Sequence, residues 1–223
     1  IWDDGANTFY VSKSGLHVSP YTNWMTAATN IQAAVDEAGD GGTVIVSNGV
    51  YNAGSRVALG LTLSNRVCVV KPVTVKSLNG PEYTTIVGAS ENGTNGPGAI
   101  RCVYLGTNAH LYGFTLTNGH TAISSDLDRK DRTGGGVFCD WGSVVSNCVI
   151  TGNKAEYGGG AGGTYRRFDD PAKRVWGSPD EYSGTIIDTF ISGNQSFGYG
   201  GGGAGIIGCV SNCIVSGNIS AES

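Results

Sequence analysis

The sequence predicts an all-β solenoid, in which successive turns of the chain stack and contribute strands to shared sheets. Three observations predict it: a β-branched string ending in Gly-Asn recurs, glycine makes up 37 of the 223 residues, and charged residues make up only 14%. Ordinary domains contain about 7% glycine and about 25% charged residues. Since one turn of such a repeat cannot bury its own apolar face, stacked turns must form the core.

The recurring strings alternate apolar with small polar residues, which is typical of strands with one buried face. Three of them match directly: SNCVITGN (146–153), IDTFISGN (187–194) and SNCIVSGN (211–218). Three match more loosely: YGFTLTNG (112–119), KPVTVKSL (71–78) and GGTVIVSN (42–49). We expect about six turns, with spacings of 29, 41, 34, 41 and 24 residues when these positions are aligned: Val44, Val73, Phe114, Cys148, Thr189 and Cys213.

The residues between the strings predict the corners of the turns. Asn-Gly, Gly-Asn and glycine runs stand there, where the chain bends with positive φ or passes close to a neighbouring backbone. Asn153, Asn194 and Asn218 occupy the same place in their strings. We therefore predict that they form one ladder, in which each side-chain amide satisfies the next turn.

One helix is predicted, directly before the first core strand. Its apolar residues recur at helical spacing, with Thr29 as the candidate N-cap and Gly39 as the stop. An amphipathic helix here is suited to covering the open apolar end of a solenoid. We assign residues 1–41 to an N-terminal arm and capping helix, and residues 42–223 to solenoid turns within one domain.

The N-terminal and glycine-rich strings carry a resemblance to known proteins. FYVSKSG, followed by NIQAAVDEAGDGGTVIVSNGVY, resembles the entry segment of right-handed parallel β-helix proteins of the pectate-lyase-like superfamily. GNKAEYGGGAGG and GNQSFGYGGGGAG resemble repeats of polymorphic outer-membrane proteins and other large bacterial surface proteins. The resemblance implies a right-handed parallel β-helix. It leaves the activity open, because such folds serve lyases, hydrolases, adhesins and structural fibres.

Composition limits the partners and the compartment. The net charge is −4 and only 14 residues are Lys or Arg, so nucleic acid is not expected as a partner. No apolar run is long enough to span a membrane. The chain opens without the basic and apolar regions of a signal peptide, and we expect a mature chain after bacterial-type export, located outside the cell or on its surface.

The six cysteines lack the spacing of a zinc site, and most lie in apolar strings. Buried thiols are one interpretation. Disulfides between stacked turns are the alternative, since an exporting compartment permits them.

Two insertions, at 119–133 and 164–183, interrupt the repeat. Within them, DLDRKDR (126–132) and YRRFDDPAKRVWGSPDEY (165–182) hold 14 of the 32 charged residues. They flank opposite ends of a glycine-rich string. This suggests a shallow groove between them, whose bottom is formed by glycine backbone without side chains. Aromatic side chains there could stack on sugar rings while arginines meet carboxylates or sulfates; these ligand-binding candidates are Tyr165, Arg166, Arg167, Phe168, Trp176 and Tyr182.

If the chain were an enzyme, the resemblance would imply a polysaccharide lyase. Such an enzyme removes the proton beside a uronate carboxylate with a Lys or Arg base, and a cation such as Ca²⁺ neutralises that carboxylate. The candidate bases are Arg129, Lys130, Arg166, Arg167 and Lys173, and the candidate calcium ligands are Asp126, Asp128 and Asp131. The charges balance within each insertion, however, as in solvated loops held by their own ion pairs.

These observations together predict an extracellular structural or adhesive module that needs no cofactor. The last string is followed only by ISAES, so we expect either the remainder of a longer surface protein or another molecule to cover the final turn. End-to-end self-assembly into a filament, with strand addition by the N-terminal residues, is a further expectation. The alternative is a carbohydrate-active protein, a lyase or a glycan-binding module for acidic polysaccharide.

Overall fold

The structure of the chain is a computed structural model, which describes residues 7–123, 129–163, 184–198, 201–205 and 207–221. These residues form mostly β-strands and one α-helix, α1 (Ile31–Glu37). A short 3-10 helix covers Arg129–Arg132. The predicted all-β, solenoid-like class is therefore confirmed.

The strands are short and follow one another around the coil. In chain order they are β1 (Thr8–Val11), β2 (Thr43–Val46), β3 (Gly49–Tyr51), β4 (Arg56–Val57), β5 (Ser64–Val69), β6 (Thr74–Ser77), β7 (Thr84–Val87), β8 (Ile100–Leu105), β9 (His110–Tyr112), β10 (Thr115–Thr117), β11 (Val137–Cys139), β12 (Val144–Ser146), β13 (Val149–Thr151), β14 (Lys154–Ala155), β15 (Ala161–Gly163), β16 (Thr185–Ile187), β17 (Phe190–Ser192), β18 (Gln195–Ser196), β19 (Ala204–Gly205), β20 (Cys209–Ser211), β21 (Ile214–Ser216) and β22 (Ile219–Ser220).

Three sheets run along the coil, and each coil from β6 to β19 contributes one strand to each of them. Sheet A has the order β1-β2-β6-β9-β12-β16-β20, sheet B β3-β7-β10-β13-β17-β21, and sheet C β4-β5-β8-β11-β15-β19. A smaller sheet, β14-β18-β22, lies at the corner between sheets B and C. All neighbouring strands pair in parallel except β4 with β5. Each coil therefore repeats the path of the one before it.

The core is built from columns of apolar side chains that point inward from each sheet. In sheet A the paired residues Phe9, Val44, Val75, Leu111, Val145 and Ile186 are all buried. Like residues lie above one another because parallel in-register pairing places each side chain about 4.8 Å from its equivalent in the next coil. The repeat thus creates its own core.

The register corrects the alignment used in the sequence interpretation. Val44 lies in a strand of sheet A and Val73 directly precedes one, whereas Phe114 and Cys148 precede strands of sheet B. The strands of all the sheets are short and rich in β-branched residues. A match between two strings therefore does not reveal whether they belong to the same sheet. Following one inward column of sheet A instead gives spacings of 31, 36, 34, 41 and 24 residues, read from Val44, Val75, Leu111, Val145, Ile186 and Val210.

The N-terminal segment also differs from the predicted arm. Thr8–Val11 is β1, a regular strand of sheet A paired with β2. Its outer edge is covered by the chain itself, because Tyr10 N–H donates to Tyr21 O and Ser12 N–H to Ala28 O, both at 2.8 Å. A strand with both edges paired does not offer a site for further strand addition.

Helix α1 contacts β1, β2 and β5, at the N-terminal end of the solenoid. Its N-cap is Asn30 rather than Thr29, since Asn30 Oδ1 accepts from Ala33 N–H at 2.9 Å. Gln32 faces the edge of β5, where its Oε1 accepts from Cys68 N–H (2.7 Å) and its Nε2 donates to Cys68 O (3.2 Å). The helix therefore covers apolar surface and pairs part of an exposed strand edge.

The last described coil presents core positions to solvent. Val210 and Val215 stand in the columns of Ile186 and Ile191, which are fully buried. Their own side chains are 45% and 53% exposed, because no described coil lies beyond them.

Candidate functional site

The predicted asparagine ladder forms a continuous column at the corner between sheets B and C. Asn194 Oδ1 accepts from the backbone N–H and the side-chain amide of Asn153, each at 3.0 Å. Asn218 Oδ1 accepts in the same way from Asn194, at 3.0 and 2.9 Å. At the N-terminal side the column ends on Gly119, whose N–H donates to Asn153 Oδ1 at 2.8 Å. These asparagines hold coils together and are not available to a ligand.

The glycine runs are buried beside this column. A Cβ on Gly160 would lie 2.5 Å from Gly203 O and 2.8 Å from the Asn194 amide nitrogen, and Gly136 is confined in the same way. Since Cβ atoms do not approach other atoms so closely, only glycine fits at these positions. The glycines therefore allow coils to stack, and the solvent-facing glycine floor proposed from the sequence is wrong for these residues.

Charged residues of the first insertion are tied to the scaffold. Arg132 pairs with Glu156 at 2.8 Å, and the guanidinium groups of Arg129 and Arg132 lie 4.5 and 5.4 Å from the centre of the Tyr157 ring. Lys130 Nζ pairs with Asp140 at 3.0 Å. A base must be free to reach the proton that it removes. Lys130 in its ion pair does not meet that condition.

Asp131 is an internal anchor. The side chain is buried, and its two oxygens accept from Thr62 N–H (3.0 Å), Thr62 Oγ1 (2.8 Å) and Leu63 N–H (3.0 Å). The candidate role of Asp131 as a calcium ligand is therefore corrected to attachment of the loop before β5. Asp126 and Asp128 lie outside the described residues, and no group of three or more metal-ligating side chains is found within the described part.

Arg101 is the centre of the polar network around Asp131, and the sequence interpretation missed it. This fully buried guanidinium donates to Asn65 Oδ1 (2.8 Å), Gly134 O (2.9 Å) and Thr133 O (2.9 Å), and also to Lys130 O. Burial lowers the pKa of Arg101 to about 10, and the charge of Asp131 opposes this shift. The sequence did contain a signal, because Arg101 is the one charged residue in the apolar string IRCVYL. A charge buried with such a strand must find hydrogen-bond partners, so this Arg indicates a buried polar network.

The second insertion lies in the sequence between β15 of sheet C and β16 of sheet A. The first insertion precedes β11, so the two insertions border opposite ends of sheet C, as predicted. The remaining candidates of the second insertion lie outside the described residues, namely Tyr165, Arg166, Arg167, Phe168, Lys173, Trp176 and Tyr182.

The cysteines are all free thiols. Burial raises the pKa of Cys102 and Cys139 to about 12, and that of Cys68 and Cys148 to about 11. Because the thiolate is the reactive form, these four thiols are poor nucleophiles. They act as small core residues, in agreement with the first of the two interpretations.

A surface groove not anticipated from the sequence lies at the corner between sheets A and B. It encloses about 670 Å³ and is lined by ten residues, among them Thr74, Lys76, Leu78, Asn79, Tyr112 and Asn147. Gly113 is one of the lining residues, and the equivalent positions of the neighbouring coils, Ser77 and Asn147, carry side chains. An aromatic ring, a cation and two amides beside one concave surface are groups that recognise polar ligands.

Comparisons of this chain with protein-family models, with curated proteins and with solved structures found no match. Among the described residues, none of the helices is long and apolar enough to cross a membrane.

Proposed function

We propose that this chain is a structural or adhesive module of a protein exported to the cell surface, built as a right-handed parallel β-helix. The proposal rests on one observation: the polar residues and glycines that stand out in the sequence serve to stack the coils on one another. The Asn153–Asn194–Asn218 column, the buried glycines and the Arg101–Asp131 network all join one coil to the next. The right hand follows from the strong preference of parallel crossover connections.

The scaffold has a place from which to present a binding segment. At the corner between sheets C and A, other coils connect their strands through short segments such as 106–109 and 140–143. Residues 164–183 are inserted at the same corner of one coil, and they are rich in Arg and aromatic residues. Such side chains are enriched where proteins bind partners. We propose that this insertion carries the adhesive contacts.

Filament formation is not part of the proposed function. End-to-end addition of a strand at β1 would require loss of the hydrogen bonds that Tyr10 and Ser12 make to the chain's own Tyr21 and Ala28. A covered edge of this kind protects sheets against association.

The test compares the intact chain with a variant in which residues 164–183 are replaced by a short Gly/Ser linker, and with a variant carrying the same residues in scrambled order. We expect all three to unfold with free energies that agree within about 1 kcal/mol, since the entropy of closing a connection changes only slowly with its length. We expect only the intact chain to bind immobilised acidic polysaccharide or a cell surface.

An assay for unsaturated uronate products separates this function from catalysis. The proposed module releases none from acidic polysaccharides, with or without calcium. Product release that disappears in the linker variant would instead establish a polysaccharide lyase. Equal binding by all three proteins would show that the insertion is not the adhesive element.

A further inference from the structure

His120 is buried between two coils, and one of its ring nitrogens has no hydrogen-bond partner. It lies in the connection from sheet B to sheet C, shortly after β10, and is only 3% exposed. Nδ1 lies 3.1 Å from Asn118 O, and since a carbonyl oxygen only accepts, Nδ1 carries the proton of the neutral ring. Nε2 is buried without a partner among the described residues. The second proton of a charged ring would therefore have no acceptor.

The preceding coil lies against His120 with the connection between β7 and β8, residues 88–99, which we call the corner loop. Gly96 N–H donates to Thr121 O at 3.1 Å, and His120 N–H donates to Ile100 O, just beyond the loop, at 3.2 Å. Asn95 is only 7% exposed, yet neither atom of its amide has a hydrogen-bond partner among the described residues. The loop thus closes over the corner without a bond from its buried amide, and segments held by few bonds open first.

The following coil brings a positive charge towards the ring. Lys154 N–H on β14 donates to Gly119 O at 2.9 Å, so β14 lies beside His120. Burial lowers the pKa of His120; the bond to Asn118 O opposes this shift, and the charge of Lys154 adds to it. A proton on Nε2 is therefore disfavoured both by burial and by a like charge.

The other charged groups of the surrounding elements have partners of their own. Glu91, the charged residue of the corner loop, accepts from Gly98 N–H within the loop at 3.1 Å. The remaining ones are held in the pairs and networks described above, namely Arg101, Asp131, Arg132 and Glu156. Among the described residues, Lys154 is the ionic side chain whose charge acts on the His120 ring.

We propose that His120 is an acid-sensitive latch, which holds the corner loop closed when neutral and releases it when protonated. A protonated ring carries two N–H donors, and in the closed corner the one on Nε2 has no acceptor and adds a charge to that of Lys154. Release of the loop exposes the ring to water, which supplies the acceptor and screens the charge. This switch is independent of the proposed adhesive function.

Opening should increase as the pH falls below about 6.5, the ordinary pKa of histidine. The closed corner lowers the pKa of His120 whereas the open loop restores it, so the open form binds more protons below that pH. Above about pH 6.5 the latch stays closed.

Amide hydrogen exchange at about pH 7.5 and about pH 5, corrected for the intrinsic effect of pH on exchange, tests the latch. In the natural chain we expect the opening equilibrium of residues 88–100 and 119–122 to rise roughly tenfold at the lower pH, because a pKa restored by one unit changes the equilibrium about tenfold. Peptides around Asn194 in the asparagine column should keep their protection. Equal corrected exchange at both pH values would overturn the inference.

His120→Gln removes the ionisable ring and keeps a neutral polar side chain, so its corrected exchange should be the same at both pH values. His110→Gln, which changes a half-buried histidine on the outer side of sheet A, is the matched control and should retain the full acid response. Lys154→Gln should reduce the response, since the charged ring then meets no like charge. An acid response that persists in His120→Gln, or that is lost in His110→Gln, would refute the latch.

Titration of the His120 ring by NMR in the natural chain makes the test independent of any variant. We expect the ring to titrate below about pH 6.5, together with the opening of the corner loop. A ring that titrates at or above about pH 6.5, or that titrates while the loop keeps its protection, would exclude His120 as the switch.

Discussion

Asn194 Oδ1 receives two hydrogen bonds from Asn153, one from the backbone and one from the side chain, across the boundary between two coils. The Asn194 amide in turn donates to Ile150 O at 2.9 Å and to Asn218 Oδ1. One side chain thus joins three successive coils. This explains why the Gly-Asn pair recurs: the glycine makes the left-handed corner and the asparagine satisfies the backbone that the corner leaves unpaired.

Asn194→Ala should lower the free energy of unfolding by about 2–4 kcal/mol, because buried groups of Asn153 and Ile150 lose their partners. Denaturant unfolding followed by circular dichroism measures the effect. Asn52→Ala, at an exposed position outside the left-handed region, is the control and should change the stability by less than about 1 kcal/mol. Similar values for the two variants would contradict a structural role of the column.

Asp131→Asn tests whether Asp131 is an anchor or a metal ligand. The buried carboxylate accepts from Thr62 and Leu63 and faces the field of Arg101, so we expect a loss of about 3–5 kcal/mol of unfolding free energy. Calcium should not change the stability of either protein. Calcium-dependent stabilisation of the natural chain that disappears in the variant would restore the metal-site interpretation.

The buried thiols predict alkaline destabilisation. The folded pKa of Cys102 and Cys139, about 12, lies above the ordinary value of 9.0. Between these values the unfolded chain binds fewer protons, so stability falls as the pH rises above about 9. Arg101, with its pKa lowered to about 10, opposes the fall only above that pH.

Unfolding free energies measured at about pH 8 and pH 10 should therefore differ by at least about 2 kcal/mol. Cys139→Ala should reduce the difference, whereas Cys209→Ser, at an exposed thiol, is the control. A flat profile over this range would show that the thiols are not buried as described.

Much of the fold could be read from the sequence, because stacking repeats a local pattern. Asn153, Asn194 and Asn218 stand at the same place in strings that are nearly identical, and this similarity follows from their equivalent environments. β1 was missed since Thr8–Val11 lacks a corner motif of that kind. Arg101 was missed because its partners come from distant parts of the chain, and the groove because its defining feature is the missing side chain of Gly113.

Gln32 provides the last test, at the N-terminal edge of sheet C. Its side-chain amide binds both the N–H and the C=O of Cys68, as a neighbouring strand would, and its Nε2 also donates to Asp36 at 2.8 Å. Gln32→Ala leaves these buried groups unpaired, so we expect a loss of about 2–3 kcal/mol in unfolding free energy. Because the variant also uncovers a strand edge, it should associate at high concentration, as measured by light scattering.

Gln32→Glu shows whether Gln32 acts by hydrogen bonding to the strand edge at Cys68 or only by filling space. A carboxylate can accept from Cys68 N–H, but it repels Cys68 O and the carboxylate of Asp36, so it should be at least as destabilising as alanine despite its equal size. Asp36→Ala, one turn further along the same helix, removes a half-exposed pair with Arg56 and one of the two hydrogen bonds that Gln32 Nε2 donates. Because Gln32 Nε2 keeps its bond to Cys68 O, this variant should cost less than about 1 kcal/mol. If Gln32→Glu were as stable as the natural chain, the amide would serve as a space-filling group, and the protection of this edge would have to come from β4 and the body of the helix.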